Sequence, residues 1–139
     1  MKIIIISALL TLSLTELAIG KEGYNCSFEV WSLVDGKPKT HIPNFKKVGT
    51  LYIDDKIVGD GSGKTQGLHL KGEGFVAHAM ALQLPDAKNG KWEDLQLEIY
   101  KDEKEIYPRS LSHADLSTKK AVVTLLTKEK SLSLTCDKN

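Results

Sequence analysis

Arg109 is the only arginine among 19 basic residues, which 18 acidic residues balance to a formal net charge of +1. No block of like charge occurs. A nucleic-acid or anionic-membrane surface held by electrostatics is therefore excluded, and arginine-rich recognition of phosphate or carboxylate is disfavoured. The chain has only two cysteines, Cys26 and Cys136. They form no Cys-x-x-Cys pair and have no cue to a lowered thiolate pKa, which argues against redox or nucleophilic use. Sustained helical periodicity is lacking beyond the first residues, and Asp115 to Lys120 would hold a turn of helix at most. After the N-terminal segment no apolar run is long enough to cross a membrane.

What is there begins with Met1-Lys2, an apolar run from Ile3 to Leu14, and Ala18-Ile19-Gly20 before Lys21. This pattern predicts a secretory signal over residues 1–20 and a single exported domain over 21–139, secreted or periplasmic, with no membrane span in the mature chain. Cys26 is preceded by Gly23-Tyr24-Asn25 and lacks the small residue a lipidated cysteine requires. An even pair of cysteines in an exported chain predicts a Cys26–Cys136 disulfide. Asn25-Cys26-Ser27 formally matches a glycosylation acceptor, but its middle cysteine argues against use.

Apolar residues alternate at period two along most of the mature chain, as in strands with one buried face. Cys26, Phe28 and Val30 share a face, as do Leu51 with Ile53, Leu68 with Leu70, Leu95 with Leu97 and Ile99, and Leu132 with Leu134 and Cys136. The run Ala121 to Leu126 forms another strand and a short one lies near Ile106. In the segment after Gly74, the larger residues Val76, His78, Met80, Leu82 and Leu84 read as the core face. Turn signals at Asp35-Gly36-Lys37-Pro38, Gly59 to Gly63, Gly72-Glu73-Gly74 and Pro85 to Gly90 separate the segments. Together these predict an all-β antiparallel sandwich of immunoglobulin-like architecture with about seven or eight strands, the alternative being a small β-barrel. Trp31 follows Cys26 too closely for the immunoglobulin family itself.

Gly63-Lys64-Thr65 ends like a phosphate-binding loop, yet residue 58 is Val58 where glycine is needed, and Gln66 to Leu70 reads as strand where a helix must begin. Asp54, Asp55 and Asp60 lack calcium-loop spacing. With Leu68 and Leu70 aligned to the assumed core face of the next strand, His69 points outward and His78 inward. They would then be unable to share a metal; a two-residue turn would bring them together, but only by placing Leu68 and Leu70 opposite the other face. Ser110, Ser112, His113 and Asp115 crowd one segment, whereas triad members come from separate segments.

No reaction is specified, and neither a cofactor nor a metal site is implied. The candidate binding residues are Trp31, Tyr52, Trp92 and Arg109, because tryptophan and arginine dominate interface energetics. The favoured expectation is a non-enzymatic, inhibitor-like binding module for another protein or an envelope component. The alternatives are a carrier of a small apolar ligand and a hydrolase whose site assembles only in the fold.

Overall fold

A computed structural model describes residues 23–53, 65–82, 94–102 and 108–139. The leader, Trp92, Leu84, Ile106, the Asp54-Asp55-Asp60 cluster and most of the glycine-rich segment lie outside the described residues. The strands are β1 (Gly23–Val34), β2 (Lys37–Pro38), β3 (Phe45–Tyr52), β4 (Thr65–Gly72), β5 (Phe75–Leu82), β6 (Asp94–Lys101), β7 (Arg109–Asp115), β8 (Lys120–Leu126) and β9 (Lys130–Lys138). All pairings are antiparallel. A front sheet runs β2-β1-β9-β8 with β3 also paired to β1, and a rear sheet runs β4-β5-β6-β7. The sheets pack face to face as an open sandwich, not a closed barrel. β3 runs beside β4 at one seam and β7 beside β8 at the other.

The core lies between the sheets, where alternation puts one apolar row per strand. Phe28, Val30, Leu132 and Leu134 of the front sheet and Leu95, Leu97 and Ile99 of the rear sheet are all buried, as their spacing predicts. Cys26 faces Cys136 directly in the β1–β9 register, and the two are disulfide-bonded across 110 residues of sequence. Tyr24 is wholly buried, with its hydroxyl 2.6 Å from the Leu116 carbonyl and 2.8 Å from that of Thr118, and so ties the β7–β8 connection to β1. At the β3–β4 seam, Gly72 lies against the Phe45 ring and Gly49 against Leu68 and Leu70. A side chain at Gly72 would overlap the aromatic ring.

β5 corrects the expected core face. Its buried inner row is Phe75, Ala77, Ala79 and Ala81, whereas His78, Met80 and Leu82 point away from the front sheet and are half-buried. Two local facts produce this. Glu73 (φ 56°) and Gly74 (φ 81°) both occupy the left-handed region and form a two-residue turn that sets Gly72 opposite Phe75, the hairpin geometry that matches strand twist. That register places Leu68 across from Ala79 and Leu70 across from Ala77. The leucines and bulky β6 residues fill the interior, leaving room only for alanine between them. Val76, on the outward row, is nevertheless 1% exposed and stands apart from the core cluster, so this outer surface is itself packed.

Candidate functional site

The strand alternation distributes the predicted binding residues over opposite surfaces. Trp31 and Tyr52 lie on the outer face of the front sheet, and Arg109 lies on the outer face of the rear sheet.

The front face is built in rows across β3, β1, β9 and β8. One row is Thr50, Asn25, Asp137 and Lys120, the next Val48, Ser27, Thr135 and Val122, and the third Lys46, Glu29, Ser133 and Thr124. Trp31, Ser131 and Leu126 continue it at one end, and Tyr52 closes the other beside Gly23. Val48 is 65% exposed, Tyr52 60%, Val122 44% and Leu126 72%, and Trp31 is half-buried among them. Polar residues between them are short or mutually satisfied: Thr50 Oγ1 donates to Asn25 Oδ1 at 3.2 Å, and Lys46 Nζ pairs with Glu29 at 3.6 Å. A shallow depression of about 340 Å³ opens here, lined by Asn25, Ser27, Val48, Thr50 and Asp137.

The rear face carries a denser cluster. The register brings His69, His78 and Glu98 side by side on β4, β5 and β6, with Arg109 reaching in from β7. Glu98 is 7% exposed, the only charged residue among the buried described positions. Its Oε2 accepts from Arg109 Nη2 at 2.6 Å and its Oε1 lies 3.0 Å from His78 Nδ1. Burying a carboxylate is costly unless it is paired and hydrogen-bonded, and both conditions hold here. The His69 and His78 rings stack with centroids 3.8 Å apart and planes 15° from parallel. Removal from water holds the His69 pKa below its ordinary value, with the adjacent His78 and then Lys71 acting the same way and Glu98 opposing them. Burial raises the Tyr100 pKa, helped by Glu98 and Asp102 and opposed by Arg109.

The serine, histidine and acid of β7 do not converge. His113 and Asp115 point outward and His113 Nδ1 lies 3.0 Å from Asp94 Oδ2, whereas Ser110 and Ser112 belong to the alternate row beside Ile99 and Leu97. The His78–Glu98–Arg109 group was missed in sequence because its assembly depends on the β4–β5 register. The signal that could have found it is the Glu73-Gly74 pair followed by alanine at every second position. No protein-family model matches the chain, and neither a curated protein nor a solved structure matches it.

Proposed function

We propose that the protein is an exported, non-enzymatic binding module that holds a protein partner on the outer face of its front sheet. The observation that carries this reading is the gathering of Trp31, Val48, Tyr52, Val122 and Leu126 on one solvent-facing side of the domain. Large apolar residues collected on one surface, with small hydroxyl residues between them and the two aromatic rings at opposite ends, suit a flat interface. The described inner faces are filled by their own side chains, which favours an external surface over a ligand-holding interior. A Cys26–Cys136 disulfide is compatible with an extracellular or periplasmic location. No helix among the described residues is long and apolar enough to cross a membrane.

The test compares proteins captured by the oxidised protein, by a Val48→Lys/Leu126→Lys variant and by Leu111→Lys on the opposite surface. A partner retained by wild type and Leu111→Lys but lost with the front-face pair supports the module and places its surface. Equal capture by all three, or a small molecule retained by wild type in native mass spectrometry with no protein partner, overturns it.

A further inference from the structure

β8 ends the front sheet, and the phase of its ladder is fixed at both ends. Lys138 N–H donates to the Lys119 carbonyl and Thr127 N–H to the Lys130 carbonyl, each at 2.8 Å. In an antiparallel pair every second residue exchanges hydrogen bonds with its neighbour. The β8–β9 register is unbroken between those two points, so Ala121, Val123 and Leu125 are the residues bonded to β9. The N–H and C=O groups of Lys120, Val122, Thr124 and Leu126 therefore point away from β9. None of the described strands pairs with that side; β7 lies beside it at the seam but belongs to the ladder of the rear sheet.

Such an open ladder is a template for another strand, and sheet proteins guard their edges with charge, proline or a bulge. The other edges of this sandwich carry charge: Lys46 and Lys47 on β3, Lys71 on β4, and Arg109, His113 and Asp115 on β7. From Ala121 to Leu126, β8 has no charge, no proline and no bulge. Its outer residues are Val122, 44% exposed, Leu126, 72% exposed, and exposed Thr124 between them.

We infer that β8 pairs antiparallel with β8 of a second copy of the chain, about a two-fold axis at Val123, and joins two front sheets into one. The free edge groups belong to the even-numbered residues, so even must face even. A two-fold axis at Val123 satisfies this along the whole strand, setting Val122 opposite the partner's Thr124 and Lys120 opposite the partner's Leu126. The strand is thus its own complement, as a two-fold interface requires. Lys120 is the one charged residue of β8. Antiparallel pairing sends the two copies of it to opposite ends of the join, whereas parallel pairing would set like charges side by side. The buried row Ala121, Val123 and Leu125 then continues from one copy into the next. Trp31, Val48 and Tyr52 stay on the open outer face, so this pairing does not depend on the partner proposed above.

Sedimentation velocity of the oxidised full chain, combined with amide exchange by NMR, tests the pairing. A reversible dimer is expected at submillimolar concentration. In it the Val122 and Thr124 amides should exchange more slowly than in the dilute monomer, while those of Val123 and Leu125, already bonded to β9, stay protected in both. Val122→Lys/Thr124→Lys sets lysine against lysine across the join and should weaken dimerisation by about tenfold or more. Val122→Glu/Thr124→Lys sets opposite charges at the same places and should restore it. Both positions are exposed, so the variants keep the fold, which circular dichroism verifies. Leu111→Lys, on the rear sheet, should dimerise as wild type does. A monomer at every concentration, a dimer whose Val122 and Thr124 amides remain unprotected, or a lysine pair without effect overturns the inference. Failure of the Glu/Lys pair to restore the dimer overturns the register, and protection of these amides only by a different added protein overturns the second copy as the occupant.

Discussion

His69 stacks on His78 because Glu73-Gly74 is a two-residue turn: with Gly72 opposite Phe75, residues 69 and 78 fall directly across from each other on the outer face. A turn longer by one residue would move His78 to the interior, since slipping a register by one residue exchanges the two faces of a strand.

That turn offers a stabilising substitution. Glu73 adopts φ 56°, a conformation asparagine tolerates better than glutamate. Glu73→Asn should raise stability by about 0.5 to 1 kcal/mol in urea denaturation. The bond from Lys130 Nζ to the Glu73 carbonyl survives the change, and the 3.5 Å contact to its carboxylate is lost at little cost. Unchanged or lowered stability would show that this contact outweighs the backbone preference.

Reduction of the Cys26–Cys136 bond releases a closure spanning 110 residues. The chain-entropy relation assigns such a loop about 4 to 5 kcal/mol. The Cys26→Ala/Cys136→Ala variant should accordingly unfold at markedly lower denaturant and with a steeper slope, because the unfolded chain without the cross-link exposes more surface. A loss below about 1 kcal/mol would mean that the β1–β9 pairing alone keeps the unfolded chain from gaining that freedom.

Arg109→Ala should destabilise by about 1 to 3 kcal/mol, because it strips one partner from a buried carboxylate instead of removing a surface charge. Glu98→Gln/Arg109→Ala together should lose less than the sum of the single changes, the mark of direct coupling. Additive losses would place the Arg109 effect elsewhere.

Acid should weaken the protein through His69. Its folded pKa is depressed, so the unfolded chain takes up the proton first. The resulting loss of stability is absent well above the unfolded value near 6.5 and grows as pH falls through it, reaching its full extent below the folded pKa. His69 is largely exposed and the effect is accordingly small. Melting from pH 7.5 to 5 should show a decline that is shallower in His69→Gln, and identical profiles for the two proteins would refute it.

The alternation at Cys26-Phe28-Val30, Leu95-Leu97-Ile99 and Leu132-Leu134-Cys136 made strands, buried rows and the disulfide legible, because these properties follow from period-two geometry and redox chemistry carried within each segment. The same rule failed in β5, where Val76-His78-Met80 are the larger residues and Phe75-Ala77-Ala79-Ala81 the inner ones. Which row faces inward was decided by how much space the opposing sheet left, a property of two surfaces and not of one strand.

Sequence alone thus determined that the chain builds a two-sheet all-β domain tied near its ends. Only the tertiary structure decided that Trp31 and Tyr52 share one outer face while Arg109 serves Glu98 on the other, and that His69, His78 and Glu98 meet at all. Their positions along the chain are far apart, and their proximity is set by turn length and strand register, which act on every residue of a hairpin together.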